Sequence, residues 1–208
     1  DACNALGVPV VSGNVSLYNE TTEKGIRRAI LPTPTVAVVG LVENVEHVLT
    51  PWFKNEGDEI YLLGDALREE GDGLGGSEFA ALCGARSSGP LPKIDLAREA
   101  SLQTLVLSLV RSGKLASAHD VSEGGLFVAL AECTVGGNGG GVFADPKAAE
   151  IHLKGATSKL AQTALLFGES PSRIVVSVSS AHRDALVAEA AKANVPCTKI
   201  GRVGGSSL

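Results

Sequence analysis

The sequence contains no methionine, no run of basic residues and no pair of cysteines in a C-x-x-C spacing. Because its four cysteines lie far apart, they suggest neither a zinc site nor a thioredoxin-like redox motif, and we expect reduced, mostly buried thiols. The 18 Lys and Arg residues are fewer than the 23 Asp and Glu residues and are spread along the chain, which argues against binding to duplex nucleic acid or to an acidic membrane surface.

Long apolar runs are also missing. No stretch approaches the roughly 18 uninterrupted apolar residues that cross a bilayer, and the first residues lack the basic and apolar segments of a secretion signal. We therefore expect no nucleic acid and no membrane as a partner, and a cytoplasmic location. Since methionine is absent and residues 1–6 have the pattern of the end of a helix, we also expect the chain to be part of a longer polypeptide.

Hydrophobic residues make up 44% of the 208 positions, which is enough for a sizeable core without disulfides or metal. Two apolar runs near the start, residues 8–11 and 35–42, predict strands. Residues 18–28 between them are polar and predict a long loop with room for extended pieces.

A break in the pattern at residues 49–58, which contains Pro51 and Gly57, predicts a domain boundary. Residues 1–53 are then the C-terminal portion of one α/β domain, and residues 54–208 form a second domain. Helices and strands alternate in the second domain, which favours a layered α/β (mixed α+β) fold whose mixed sheet is flanked by helices. The predicted helices are residues 77–83, 95–111, 122–133, 157–166 and 182–193, and the predicted strands are residues 59–63, 115–118, 141–144, 173–178 and 197–203.

The first cluster of polar residues, GNVSLYNE at residues 13–20, follows a predicted strand, where α/β proteins tend to place loops that contact ligands. Gly13 lets backbone approach a phosphate, and the side-chain carbonyl of Asn14 is a hard neutral oxygen suited to magnesium. The hydroxyl of Ser16 can bond a phosphate or sugar oxygen. Composition alone favours the alternative, a Gly-Asn turn surrounded by polar residues.

A second cluster, SAHDVSEGG at residues 117–125, lies where a predicted strand meets a predicted helix. Free N–H groups at such a helix start attract anions. Asp120 and Glu123 have the spacing of a capping box, which would satisfy those donors without a ligand. Gly124 and Gly125 favour a ligand slightly, because a plain cap does not need them and each weakens a helix by about 1 kcal/mol.

The third cluster, LFGESPSR at residues 166–173, precedes a predicted strand and has side chains that could hold a nucleotide or a metal. Its alternative is a proline-containing turn in which Arg173 pairs with Glu169, and the residues by themselves favour this turn. The glycine-rich loop at residues 71–78 is a weaker candidate for phosphate binding, because it lacks the lysine of a P-loop and does not match G-x-G-x-x-G.

Six segments, taken in this order, resemble the phosphoribosylformylglycinamidine synthase family in its short form, whose synthetase is a separate subunit: GVPVVSGNVSLYNE, PTPTVAVVG, GDEIYLLG, LGGSEF, SAHDVSEGGL and LFGESPSR. The resemblance covers nearly the whole chain, which matches the C-terminal third of that subunit. GNVSLYNE is its most specific element, whereas LGGSEF and DVSEGG are shared across the aminoimidazole-ribonucleotide synthetase superfamily. The resemblance implies that the second domain has the fold of the C-terminal domain of aminoimidazole-ribonucleotide synthetase. It also implies that the residues before this domain are part of another α/β domain.

The resemblance implies a reaction of de novo purine biosynthesis. ATP activates the amide oxygen of formylglycinamide ribonucleotide, ammonia displaces the phosphate, and formylglycinamidine ribonucleotide, ADP and phosphate are released. The implied cofactors are ATP and Mg²⁺. The implied partners are formylglycinamide ribonucleotide, the missing N-terminal part of the same chain, a glutaminase subunit that supplies ammonia from glutamine, and a small bridging subunit.

The resemblance also assigns roles to residues. Gly13 contacts ATP, Asn14 binds magnesium, and Ser16 contacts the substrate. Residues of the second and third clusters serve an auxiliary nucleotide site, made by Asp120, Ser122, Gly124, Gly125, Glu169 and Ser170. The catalytic histidine and most ATP ligands are expected outside this sequence, so we expect the chain alone to be inactive.

Two other functions stay open at this point. The chain could be a non-catalytic structural half that holds a permanently bound nucleotide. It could also belong to another ATP-dependent enzyme of the superfamily, such as aminoimidazole-ribonucleotide synthetase or a kinase that resembles selenophosphate synthetase. The GNVSLYNE segment argues against this last alternative.

Overall fold

The computed structural model describes residues 1–16, 19–31, 33–66, 71–85, 91–135, 148–153 and 156–205. The chain divides into two compact units, Asp1–Val45 and Glu46–Leu208. The domain boundary between residues 53 and 54 stays a prediction, and Phe53 is buried in the core of the second unit. Within the described ranges, no helix is both long enough and apolar enough to span a membrane.

The first unit contains a short helix and a hairpin. Helix α1 (Ala2–Leu6) confirms the helix expected at the start of the chain. Strands β1 (Glu20–Glu23) and β2 (Ile26–Ala29) pair antiparallel inside the predicted long loop. Lys24 and Gly25 between them have positive φ angles of 51° and 78°, as a two-residue type I′ turn requires.

The two strands predicted in the first unit, residues 8–11 and 35–42, are wrong, because neither segment is a strand in the structure. A strand needs a hydrogen-bonded neighbour, and no described segment of this unit pairs with them. Their valine side chains are correspondingly exposed, Val11 by 90% and Val39 by 95%. A 3₁₀ turn, Val45–His47, spans the border of the two units.

The second unit is a five-stranded sheet with helices packed on both faces. Its strands, in the spatial order β4-β6-β3-β7-β5, are β3 (Glu59–Leu63), β4 (Ser117–Asp120), β5 (Ala149–Ile151), β6 (Ile174–Val178) and β7 (Cys197–Val203). Its helices are α2 (Glu78–Leu82), α3 (Leu96–Arg111), α4 (Gly125–Val135), α5 (Lys159–Phe167) and α6 (Arg183–Lys192).

The α/β fold class is confirmed, with differences in the sheet. All four pairings between the described strands of this sheet are antiparallel, whereas the sequence predicts a mixed sheet. Alternation of helices and strands does not determine strand direction, and both neighbours of the central strand β3 run opposite to it. Strand β5 is not predicted from the sequence, and the strand predicted at residues 141–144 lies outside the described residues.

Strand β3 is buried on both faces and separates two clusters of apolar side chains. Ile60 and Leu62 belong to the cluster that includes α4 and α5, whereas Tyr61 and Leu63 belong to the cluster that includes α3 and α6. An almost uninterrupted apolar strand is typical of a position with both faces covered. The core of the second unit therefore lies on both sides of β3.

The four cysteines are all free, as expected, but fewer of them are buried than the sequence suggests. Cys133 is buried and Cys197 is half-buried, whereas Cys3 and Cys83 are exposed. Burial raises the pKa of Cys133 to about 12 and that of Cys197 to about 11. Both therefore carry an uncharged thiol at neutral pH, which makes them poor nucleophiles.

Glu59 is the acidic centre of an ion cluster on the sheet. Its side chain is only 12% exposed, and it accepts hydrogen bonds from Lys199 Nζ at 2.9 Å and from the Tyr61 hydroxyl at 2.8 Å. Arg183 Nη1 lies 3.9 Å from the same carboxylate. The hydrogen bond from Lys199 lowers the pKa of Glu59, and burial raises the pKa of Tyr61.

We expect Glu59→Gln to lower the free energy of unfolding by about 1.5–3 kcal/mol at pH 7, since it weakens charged hydrogen bonds of a nearly buried group. Because the folded-state pKa of Glu59 lies below its ordinary value of 4.5, this stabilisation is complete above that pH and is lost as the pH falls through the folded-state pKa. Equilibrium unfolding from pH 2 to pH 8 measures it. Glu123→Gln, at an exposed position, is the control. The prediction would be contradicted if the difference in unfolding free energy between Glu59→Gln and the wild type stayed the same down to pH 2.

Candidate functional site

The first cluster lies in the first unit between α1 and β1, and its described residues are exposed; residues 17 and 18 lie outside the described part. Asn19 closes the loop, because its Nδ2 donates to the carbonyl oxygen of Ser16 at 3.0 Å. The Asn14 amide and the Ser16 hydroxyl are open to solvent. A side chain at Gly13 would meet no described atom within 4 Å, so packing does not require glycine there.

The second cluster, the third cluster and the glycine-rich loop meet in the second unit. We call this region the loop junction and define it as residues 71–78, 120–125 and 166–173. The Glu169 N–H donates to the carbonyl oxygen of Gly73 at 2.9 Å, and the Val121 N–H donates to that of Arg173 at 3.0 Å. Three segments that are far apart in the sequence are therefore hydrogen-bonded to one another.

Gly124 and Gly125 are required by packing in the loop junction. Both have positive φ angles, 81° and 74°. A Cβ at Gly125 would lie 2.8 Å from the carbonyl oxygens of Leu166 and Gly168, and a Cβ at Gly124 would lie 2.5 Å from the Val128 side chain. Contacts this short require neighbouring atoms to shift, so packing by itself explains both glycines without a ligand, and their role in a nucleotide site stays a prediction.

The start of α4 is capped from a distant part of the chain. A capping box that begins at Asp120 does not fit, because α4 begins five residues later, at Gly125. The Oε1 atom of Glu169 instead accepts a hydrogen bond from the Gly124 N–H at 2.9 Å. The same oxygen accepts a hydrogen bond from the N–H of Glu78, the first residue of α2, at 2.8 Å.

The third cluster forms a tight turn in which Arg173 donates hydrogen bonds to backbone carbonyl oxygens. Arg173 is buried, and its Nε donates to the carbonyl oxygen of Ser170 at 3.2 Å. Its Nη2 donates to the carbonyl oxygen of Gly168. The predicted proline-containing turn is present, and the guanidinium of Arg173 binds these carbonyls. The pairing of Arg173 with Glu169 stays a prediction. Ser170 and Ser172 are buried in the same turn.

Asp120 and Ser122 are the accessible members of the predicted auxiliary site. The Ser122 hydroxyl donates to the Asp120 carboxylate, and this hydrogen bond is the main reason why the pKa of Asp120 lies below its ordinary value. Asp120 is therefore negatively charged at neutral pH. In the parts of the chain that the structure describes, no three His, Cys, Asp or Glu side chains are grouped so that they could hold a metal ion.

His119 is a polar residue of this region that sequence reasoning missed. Its side chain is 17% exposed, and its Nε2 lies 3.1 Å from an oxygen of Glu132 on α4. Its Nδ1 lies 2.8 Å from the carbonyl oxygen of Asp120. No sequence signal links His119 to Glu132, because one lies on a strand and the other on a helix. The contact ties the end of β4 to α4.

The second unit also contains a cavity. It has a volume of about 700 Å³ and opens between α3 and α6, where Thr104, Ser108 and Lys192 are among its lining residues. None of the predicted site residues lines it. The loop junction and this cavity are therefore separate features of the second unit.

Comparison with known proteins places the second unit in a described family. Residues 55–207 match the family model "AIR synthase related protein, C-terminal domain". The whole chain aligns with "Phosphoribosylformylglycinamidine synthase subunit PurL" of an Anaeromyxobacter species at 45% identity over 213 residues, and with the protein of the same name from Zymomonas mobilis at 41% identity over 210 residues. These names confirm the family resemblance of the sequence. The chain spans 26% of the length of each relative.

Solved structures confirm the fold. The structure titled "T. maritima PurL complexed with FGAR" superposes with a TM-score of 0.62 at 21% identity and covers 77% of this chain and 26% of that one. "T. maritima PurL complexed with ATP" gives a TM-score of 0.56 at 18% identity and covers 78% of this chain and 24% of that one. At these identities the likeness concerns the architecture of the chain.

Proposed function

We propose a function on the premise that this chain belongs to the AIR synthase related protein family, through the C-terminal domain that its residues 55–207 match. In the full-length protein the chain is part of an ATP-dependent C–N ligase. This ligase converts formylglycinamide ribonucleotide, ammonia and ATP into formylglycinamidine ribonucleotide, ADP and phosphate, in cytoplasmic purine biosynthesis. The observation that carries the proposal is the 45% identity to the Anaeromyxobacter relative over the whole chain.

The first cluster supplies this chain's contacts to the reacting molecules. Gly13 lies in open space, so backbone can approach an ATP phosphate there without displacing a side chain. The Ser16 hydroxyl is exposed and donates a hydrogen bond to a phosphate or sugar oxygen of the ribonucleotide. Asn19 holds the carbonyl of Ser16, which limits the movement of this loop.

Asn14 fits magnesium by the chemistry of its donor atom. An exposed side-chain amide oxygen is a hard neutral ligand of the kind that Mg²⁺ accepts. Asn14 supplies one such ligand, and phosphate oxygens, water or residues outside this chain supply the others. When bound, Mg²⁺ neutralises phosphate charge during transfer of the γ-phosphoryl group.

The exposed apolar runs of the first unit support a partner within the same polypeptide. None of the described residues of this unit is buried, and Val11, Val36 and Val39 are each more than 80% exposed. Leaving so much apolar surface in water is unfavourable. The relatives are about four times as long as the chain, so a preceding part of the polypeptide covers these residues and contributes the catalytic histidine. The chain alone is then inactive.

Two further subunits complete the proposed enzyme. A glutaminase subunit releases ammonia from glutamine, and a small subunit bridges the glutaminase to the synthetase. The solved complex "Structure of PurLQS from Thermotoga maritima" supports this part of the proposal, because PurL, the name that the relatives carry, is there named together with further components.

The auxiliary nucleotide site of the second unit is a separate proposal. Of its predicted members, Asp120 and Ser122 are exposed and present charged and hydroxyl oxygens. The remaining four are packed or hydrogen-bonded within the loop junction: Gly124, Gly125, Glu169 and Ser170. The phosphates of a nucleotide bound here therefore lie near the exposed carboxylate of Asp120. Magnesium is needed to offset the repulsion between this carboxylate and the phosphates.

The proposed reaction is tested by assay of the full-length protein with ATP, Mg²⁺ and ammonia. We expect phosphate release that depends on formylglycinamide ribonucleotide. The competing superfamily function is tested with formylglycinamidine ribonucleotide, the substrate of aminoimidazole-ribonucleotide synthetase, in its place. Phosphate release with this second ribonucleotide alone would overturn the proposal.

Ser16→Ala is expected to raise the KM for formylglycinamide ribonucleotide about 10- to 100-fold with little change in kcat. With a charged phosphate oxygen as the acceptor, the variant removes one hydrogen bond worth about 1.5–3 kcal/mol. Steady-state kinetics with either ligand varied measure the effect. Ser12→Ala, in the same exposed segment, is the control, and a changed KM for ATP alone would show that Ser16 contacts a different ligand.

A further inference from the structure

Glu169 uses one carboxylate oxygen to join two helices that are distant in sequence. Its Oε1 accepts hydrogen bonds from the N–H of Glu78, 91 residues earlier, and from the N–H of Gly124, 45 residues earlier. These donors lie at the starts of α2 and α4, where backbone N–H groups lack partners within the helix. A negative charge is favourable at such a position.

The surrounding backbone holds Glu169 in place. Its own N–H donates to the carbonyl oxygen of Gly73 at 2.9 Å. Arg173 donates to the carbonyl oxygens of Gly168 and Ser170, the residues on either side of Glu169. The carboxylate is therefore anchored from the backbone of its own turn, and it reaches both helix starts without a bound ligand.

The same geometry argues against a ligand role for this carboxylate. A phosphate at the start of α4 would use the Gly124 N–H, which already donates to Glu169. The carboxylate would also repel that phosphate. Glu169 thus occupies the position at which the sequence analysis expects an anion.

We propose that Glu169 is a positioning residue: its carboxylate is a built-in anion that joins the starts of α2 and α4 and thereby orients the segment carrying Asp120 and Ser122, without binding nucleotide or metal itself. This role goes beyond the proposed function and replaces the predicted nucleotide contact of Glu169, because Glu169 acts through Gly124 and does not touch a substrate. It predicts that the acceptor oxygen and its reach supply most of the effect, and that the negative charge adds a smaller stabilisation of the two helix starts.

Amide hydrogen exchange of the full-length protein, followed by mass spectrometry, tests the role. In Glu169→Ala we expect exchange to become at least 10-fold faster in both segments 76–80 and 122–126, although they are far apart in sequence. Glu169→Gln keeps an acceptor oxygen at the same reach and restores protection to within about 2-fold. Glu169→Asp keeps the charge but is one methylene shorter, so at least one segment loses protection. The exposed Glu123→Ala is the control and leaves both segments unchanged.

Two results would overturn the proposal. One is unchanged protection of both segments in Glu169→Ala and in Glu169→Asp. The other is a loss of 10-fold or more in ADP affinity in Glu169→Gln, by calorimetry with Mg²⁺, while both segments stay protected, because Glu169 would then be a ligand. If the wild type binds no ADP, the auxiliary-site proposal fails, and the exchange results decide the role of Glu169 independently. Should Glu169→Ala fail to fold, the Gln and Asp variants supply the comparison.

Discussion

Replacing Asn14 with leucine is expected to lower the rate of amidine synthesis by the full-length enzyme at least about 100-fold. Leucine has a similar size but no oxygen, so it removes the ligand that we assign to Mg²⁺. Because Asn14 is exposed, the free energy of unfolding should change by less than about 0.5 kcal/mol. Initial rates at saturating ATP and ribonucleotide, across a range of Mg²⁺ concentrations, measure the effect.

Two variants separate the loss of the ligand from a local disturbance. Val15→Leu keeps an apolar side chain at the next position and neither adds nor removes an oxygen, so it should leave the Mg²⁺ dependence of the rate unchanged. Asn14→Asp keeps a hard oxygen and should recover part of the activity. A near wild-type rate for Asn14→Leu at limiting Mg²⁺ would remove the metal role from Asn14.

Gly125→Ala is expected to lower the free energy of unfolding by about 2–5 kcal/mol. The φ angle of 74° costs a residue with a side chain about 1–2 kcal/mol. The new Cβ would also lie 2.8 Å from the carbonyl oxygens of Leu166 and Gly168, and the shift that relieves such overpacking typically costs a further 1–3 kcal/mol. Scanning calorimetry should show a Tm lower by about 4–20 °C.

Gly113→Ala is the matched control for this prediction. Gly113 has a similar φ angle of 65°, but a Cβ there would meet no atom of the described residues within 4 Å. It therefore reports the backbone strain alone, about 1–2 kcal/mol. The excess loss in Gly125→Ala measures the close approach of the segments in the loop junction. Equal losses of unfolding free energy in the two variants would show that the loop junction accommodates the added Cβ without a measurable packing penalty.

Most helices and strands of the second unit could be predicted, because their signals are local. Helix α3 begins where the Asp95 carboxylate accepts hydrogen bonds from the N–H groups of Ala97 and Arg98, and Gly113 follows its end. Strand β3 is an apolar run between two glycines, Gly57 and Gly64. In each case the pattern within a few residues was sufficient.

The first unit shows where local signals fail. Residues 8–11 and 35–42 are apolar enough for strands, yet the described structure offers them no hydrogen-bonded neighbour. An apolar run predicts that a segment will be covered, but it does not identify the segment that covers it. Strands β1 and β2 pair because only Lys24 and Gly25 separate them, and both residues have the positive φ angles that the tight turn requires.

For the candidate site, the sequence by itself determined which segments carry polar and glycine-rich clusters, and, through a family resemblance, which residues to test. Only the tertiary structure decided that the second and third clusters meet and that His119 contacts Glu132. It also decided that Glu169 caps the start of α4, for which the sequence had offered a capping box formed by Asp120 and Glu123. The physical reason is range. Helix and strand periods and turn preferences act over a few neighbouring residues, whereas strand direction and hydrogen bonds across 45 or 91 residues depend on how the whole sheet and its helices pack.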